Sequence, residues 1–205
     1  MYAILDAARI FGEIDTAQRL QSKFLCLYKG QSEELLSSVV PYIFQYQFGS
    51  EFSSWLLEKG YGNAWGVYVM SRVSLEALQS HFRKFLMVKT EDGRELYFRF
   101  YDPRVLRIFL PTCDKQQLKE FFGPVEKYIA EDEDAGFALV YSLNTDGTLR
   151  TDRVPAEEYL GSLTFVNAEA VSPSPPLPID NPDKEVKPEP PASEPGKKKW
   201  FFLDE

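Results

Sequence analysis

Histidine and cysteine are nearly missing. The chain carries one histidine, His81, and two cysteines, Cys26 and Cys113, in 205 residues. A single histidine excludes His-rich zinc sites and makes any His-based catalysis depend on one side chain. Two cysteines are too few for a disulfide framework, and they suit a reducing compartment or are indifferent to it. No run of about 18 apolar residues is present, so no transmembrane helix is expected. The opening MYAILDAARI lacks a basic region, a long apolar stretch and a small-residue cleavage site, so no signal peptide is expected. Positive charge is in deficit, with 23 Lys+Arg against 31 Asp+Glu and a formal net charge of −8. Phosphates would be repelled, which argues against a non-specific nucleic-acid binder. Walker, Gly-x-Ser-x-Gly, His-Glu-x-x-His and Cys-x-x-Cys patterns are all absent.

What is present is ample core material: 44% apolar and 15% aromatic residues, enough for a packed domain. Proline divides the chain. Of 14 prolines, nine fall after residue 167, where they disfavour helix and sheet and leave an extended, polyproline-II-like segment. The expected organisation is a globular domain over 1–167, a flexible proline-rich linker over 168–196 and a basic/aromatic motif over 197–205. That motif, Lys-Lys-Lys-Trp-Phe-Phe-Leu-Asp-Glu, sets Trp200, Phe201 and Phe202 on a solvated tether. It either folds back onto the domain or docks on a partner. Both readings stay open, with the linker's length weighing slightly toward docking.

Within 1–167 the apolar period alternates between strand and helix. Tyr2 to Ala7, Phe24 to Tyr28, Tyr42 to Tyr46 and Trp65 to Met70 read as strands. A turn or short helix is expected over Asp15 to Gln21. Ser50 to Glu58 reads as a helix stopped by Gly60, and Ser74 caps a helix carrying Leu78, Phe82 and Phe85. Two hairpins are expected: 85–89 with 94–100 around Glu91-Asp92-Gly93, and 137–143 with 148–154 around Asn144-Thr145-Asp146-Gly147. Helices over 103–110 and 114–122 lie between them. The fold class is α+β (mixed α/β), with one main mixed sheet flanked by helices.

Several segments mimic ligand motifs and fail. In Gly60-Tyr61-Gly62-Asn63-Ala64-Trp65-Gly66 the third glycine of a dinucleotide fingerprint is one place late and a strand follows. A calcium loop registered on Gly147 would place Arg153 at its twelfth position. Glu131-Asp132-Glu133-Asp134 reads as a solvated acidic loop before a strand. His81 reads as a structural histidine on a helix and Cys26 as a small core residue. Cys113 precedes a helix N-terminus, which can lower a thiol pKa. No catalytic, cofactor or metal residues are therefore assigned.

The most organised segment is Phe98-Arg99-Phe100-Tyr101-Asp102-Pro103-Arg104-Val105-Leu106. Phe98 and Phe100 are expected on one strand face, Arg99 and Tyr101 on the other. Asp102 is an N-cap and Pro103 a first helical residue. Arg99 and Arg104 either form structural ion pairs with Asp6 or Asp102, or present forked donors to an acidic partner.

This segment carries a resemblance, together with Tyr2 to Ala8, Pro41-Tyr42, Trp65-Gly66, the helix over 75–86 and Phe121-Phe122-Gly123-Pro124. Over roughly residues 1–143 the chain resembles the type VI secretion adaptor family (Tap or TEC chaperones), long labelled as a domain of unknown function. The resemblance implies a cytoplasmic, non-enzymatic chaperone of a Gram-negative bacterium. Its partners would be a toxic effector protein and the VgrG spike protein. It implies no cofactor, no nucleic acid and no membrane. It brings no agreed catalytic residues, and the Arg99–Arg104 motif comes across only as a signature; Arg99, Tyr101, Asp102, Arg104 and Trp65, with Trp200, Phe201 and Phe202 of the tethered motif, are the partner-binding or signature candidates. The alternatives are an immunity protein that neutralises a toxin, and a hydrolase built on Asp6, Arg99, Asp102 and Arg104.

Overall fold

Strands buried on both faces need apolar residues at odd and even positions alike, and Tyr2–Asp6 (β1) has them: Ala3, Ile4 and Leu5 are all at most 1% exposed. The computed structural model describes residues 1–10, 12–28, 40–89, 95–156, 160 and 201–202. All of them lie in one compact unit formed by 1–163 and 199–205. Around β1 a seven-stranded sheet is laid out in the order β2-β3-β1-β4-β7-β8-β9. The added strands are Phe24–Cys26 (β2), Pro41–Gln45 (β3), Gly66–Ser71 (β4), Val125–Glu131 (β7), Phe137–Leu143 (β8) and Leu149–Pro155 (β9). Met87–Lys89 (β5), Glu95–Tyr97 (β6) and Phe201–Phe202 (β10) make a second sheet in the order β10-β5-β6.

Both faces of the large sheet are covered. Ile4, Ile43, Val67, Val69, Tyr128 and Tyr141 point to one face. There they meet Leu75–Arg83 (α3), Pro103–Phe109 (α4) and Lys115–Phe122 (α5). Ala3, Leu5, Phe44, Tyr68 and Val140 point to the other, where Ile14–Leu20 (α1) and Glu51–Lys59 (α2) pack. The helices start where their caps dictate. Ser50 and Ser74 accept from Ser53 N and Ala77 N, and Asp114 with Gln117 forms a capping box. Buried pairs at i and i+4, Phe52 with Leu56 and Leu78 with Phe82, aim each helix at the sheet. Each such large side chain contributes about 1.5–3 kcal/mol by leaving water.

Two close approaches fix backbone positions. Gly66 lies so near β1 that a Cβ there would sit 2.0 Å from the Ile4 carbonyl oxygen. Gly123 ends α5 at φ +45°, where a Cβ would meet the His81 ring at 2.4 Å.

The α+β class holds, with five helices among the described residues. Every strand pairing among the described residues is antiparallel, where the sequence pattern points to a mixed sheet. The central strand β7 went unread, and it sits between β4 and β8. The strand expected over 94–100 ends at Tyr97. Residues 99–102 turn instead, with Asp102 N donating to Arg99 O at 2.9 Å. Tyr101 is buried together with Phe100, and its side chain still meets that of Arg99. Glu131 is not solvated either: it ends β7 at 7% exposure. The Glu91-Asp92-Gly93 turn, the linker over 168–196 and Trp200 lie outside the described residues. Phe201–Phe202 pairs antiparallel with β5, Phe201 opposite Lys89 and Phe202 opposite Val88. That is the fold-back arrangement.

Candidate functional site

The antiparallel registers bring three strand ends together. Leu5 of β1 lies opposite Gly66 of β4, and Tyr68 of β4 lies opposite Ile129 of β7. The last residues of β1 and β7, Asp6 and Glu131, therefore share one end of the sheet with the start of β4. The turn 99–102 and the first turn of α4 cover that end and bring in the arginines.

Asp6 is 1% exposed. It accepts from the Arg99 guanidinium and, at 3.1 Å, from Ala8 N. Asp102 is 3% exposed. Its Oδ1 accepts from Arg104 N and Arg104 Nε, both at 3.0 Å, and its Oδ2 from Arg104 Nη2 at 2.6 Å. One carboxylate thus caps α4 and grips a guanidinium in a forked pair. The carboxylates lie underneath and the cations above, since the Arg99 and Arg104 side chains stay 42% and 52% exposed. Ile108, one helical turn beyond Arg104, is 73% exposed. Two oriented guanidiniums beside a bare aliphatic side chain form a platform suited to a carboxylate- or carbonyl-bearing protein segment.

Glu131 completes the junction from below. It accepts from Gly62 N at 2.5 Å and Ala64 N at 2.7 Å, which ties the α2–β4 loop to β7. Ala64 holds φ +54° in that loop. Arg107 donates to the Glu131 carbonyl at 2.8 Å. Burial pushes the Glu131 carboxyl above the ordinary carboxylate range, and the two amides and Arg107 offset this only in part. At Asp102 burial acts in the same direction, but the Arg104 bonds outweigh it and the carboxyl ends below its ordinary value. Burial, with the Asp6 charge behind it, pushes Tyr101 up to about 12.

The structure therefore gathers Arg99, Tyr101, Asp102 and Arg104 with Asp6 at one place. Trp65 adjoins them through its backbone, its carbonyl accepting from Asp6 N at 2.9 Å. Its ring turns away to pack on Trp55, centroids 5.4 Å apart. Phe201 and Phe202 belong to the smaller sheet. Glu131 and Arg107 were missed, because a buried acid inside an acidic run carries no local sign of its burial. The remainder of that run is paired: Asp132 and Asp134 accept from Arg153 at 2.5 and 3.4 Å.

Neither of the other reactive candidates is poised for chemistry. Burial and the neighbouring Asp114 push the Cys113 thiol up to about 12, the reverse of an activated thiolate. His81 Nε2 lies 3.0 Å from the Phe121 carbonyl, and burial lowers its pKa. Its work is to hold the end of α5. Among the described residues no group of three or more His, Cys, Asp or Glu side chains could hold a metal ion.

The model of one protein family, described as a domain of unknown function (DUF4123), matches residues 1–120. The match includes the whole Asp6–Arg104 platform and stops before β7. No curated protein and no solved structure matches the chain.

Proposed function

We propose that this chain, which belongs to the DUF4123 family, is a non-enzymatic adaptor that binds a type VI secretion effector and helps load it onto the VgrG spike. The family is associated with effector adaptors of that system. The observation that carries the reading is the platform itself. Asp6, Arg99, Asp102 and Arg104, the side chains a hydrolase would have to free, are engaged with one another, while the outer faces of both guanidiniums remain open beside Ile108. Such a surface holds a polypeptide without reacting with it. In this reading the chain works in the cytoplasm before secretion. No helix among the described residues is long and apolar enough to cross a membrane.

The test is co-purification of the tagged full chain, from the cells that produce it, with a type VI secretion effector and a VgrG protein. The expected result is capture of both, lost in the Arg99→Ala/Arg104→Ala double variant at unchanged secondary structure. A folded chain that captures neither protein would overturn the reading. So would neutralisation of the toxin without any transfer to the spike, which is the behaviour of an immunity protein.

A further inference from the structure

One face of α4 is buried against the sheet and the other is bare. Pro103, Leu106 and Phe109 point inward, as does Leu110 of the 3₁₀ turn Leu110–Thr112 that continues the helix. Arg104, Ile108 and Pro111 stand on the opposite side at i, i+4 and i+7, and all three are exposed. Side chains at this spacing line up as one ridge, here about 10 Å long at 1.5 Å per residue. The ridge is uneven. Its beginning is cationic, with Arg104 and, from the preceding turn, Arg99. The rest is apolar, and Ile108 at 73% is the most exposed large hydrophobic side chain among the described residues. One flank is acidic: Glu133, 88% exposed, pairs with Arg107 at 3.8 Å. The cations cannot swing away, because Asp6 and Asp102 hold them from below. Arg104 gives one N–H from Nε and one from Nη2 to Asp102. Of a guanidinium's five donors this leaves three for a partner.

We infer that this ridge seats an amphipathic helix of the effector, laid antiparallel to α4 so that Arg99 and Arg104 close its C-terminal end. The inference rests on the adaptor reading and names the partner element that the platform takes. A ridge with this spacing fits the groove between the side-chain rows of another helix. The cationic end then selects both the element and its direction. The last four carbonyls of a helix have no partner within it and carry the negative end of its dipole. Two anchored guanidiniums supply the missing donors and the matching charge together. With its C-terminus there, the body of the helix runs over Ile108 and Pro111, and its dipole opposes that of α4. The apolar stripe of the incoming helix covers Ile108 and Pro111. Its flank beside Glu133 is basic, since an acid there would meet a like charge.

The test is photo-cross-linking of the full chain in the cells that produce it. Three variants are used singly: Arg104→p-benzoylphenylalanine, Ile108→p-benzoylphenylalanine and Pro111→p-benzoylphenylalanine. Cross-linked residues are mapped by mass spectrometry. The expected result is reaction with one effector segment, at sites three or four residues apart and in reverse order. Pro111 should meet the N-terminal part of that segment, Ile108 its middle and Arg104 its C-terminal part. Ile108 and Pro111 suffice to give the order where the Arg104 variant captures nothing. Adding Arg99→Ala to the Ile108 variant should cut the yield about threefold to tenfold, the loss of one cation at a helix end. An unchanged yield overturns the inference. So do sites two residues apart, which mark an extended segment, and sites in parallel order. Reaction with VgrG or with a second copy of this chain assigns the ridge to that protein and overturns the effector assignment. An effector that co-purifies without cross-linking from any of the three positions overturns this inference and leaves the adaptor reading standing. Absence of any co-purified effector overturns the adaptor reading, and the inference with it.

Discussion

Asp102 can be taken apart by two substitutions, because one side chain does two separable things. It caps α4 by accepting from Arg104 N at 3.0 Å, and it grips the Arg104 guanidinium at 2.6 and 3.0 Å. Removing an N-cap costs about 1 kcal/mol. The ion pair adds less, about 0.2–1 kcal/mol, because the Arg104 side chain is half in water. Asp102→Ala loses both, about 1.2–2 kcal/mol, which for a domain of this size lowers Tm by about 2–8 °C. Asp102→Asn keeps an equally good cap and loses only the charge, about 0.5 kcal/mol. The pH dependence separates them further. The folded-state pKa of Asp102 lies below its ordinary 3.8, so the unfolded chain binds the proton first as pH falls. The stabilisation is therefore complete above 3.8 and is lost as pH drops through the folded value. Both variants should flatten that acid limb. Thermal and urea denaturation followed by circular dichroism measures all of this. Equal losses in the alanine and asparagine variants, or an unchanged acid limb, would refute the division of labour.

Three further outcomes follow from geometry. Gly66→Ala drives a methyl to 2.0 Å from the Ile4 carbonyl oxygen in the middle of the sheet, so β1 and β4 must separate. A loss of about 3 kcal/mol is expected, and a urea midpoint implying less than about 1 kcal/mol would contradict the close approach. His81 has a lowered folded-state pKa, by burial first and Lys84 after it. The unfolded chain thus binds more protons as pH falls through 6.5, and stability must decline over that window. His81→Gln should reduce the slope, as urea midpoints between pH 5 and 8 will show, the remainder belonging to the N-terminal amine, whose pKa burial also lowers. Ile108→Asp should leave stability within about 0.5 kcal/mol, as expected for a side chain 73% exposed, and still weaken effector capture in pull-downs.

Local signals carried much of the fold. Ser74 with Leu78 and Phe82, Asp114 ahead of Leu118, and Asp102-Pro103 each announced a helix through chemistry contained within one or two turns. The hairpin around Asn144–Gly147 was equally local: Gly147 takes φ +82°, and Asn144 N donates to Thr148 O at 2.9 Å. What escaped was non-local. β7 has Glu126, Lys127 and Glu131 among its seven residues, and only its place between β4 and β8 makes it central. That insertion also separates β4 from β8, which run in the same direction, so that both pair with β7 antiparallel. Phe98 to Tyr101 alternates like a strand, yet the chain must turn there to deliver Asp102 to the start of α4, so packing overrode the pattern. In the site, Arg104 with Asp102 is a two-residue matter. Arg99 finds Asp6 across 93 positions, and the partner was legible only as one of two named acids.

The buried acids beneath the platform allow a test of how it binds, because two mechanisms predict opposite signs. If Arg99 and Arg104 attract a partner by charge alone, then Asp6→Asn, which removes a negative charge from beneath Arg99, should strengthen capture of an acidic segment. The gain should fade with added salt. If the fold's contribution is orientation, the same substitution should weaken capture. A guanidinium freed from Asp6 regains rotamer freedom, and binding must then supply about 0.5–1.5 kcal/mol to order it again. The structure favours orientation. Asp6 is 1% exposed and held by Ala8 N, so its carboxylate is a fixed anchor. Arg99 projects from a tight turn and not from a flexible loop. Capture by Asp6→Asn should therefore fall about twofold to tenfold at constant salt, with Arg99 still present and the net charge one unit more positive. An increase in capture would mean that the carboxylates only dilute the field of the arginines, and that the ordered junction matters to the fold but not to the partner.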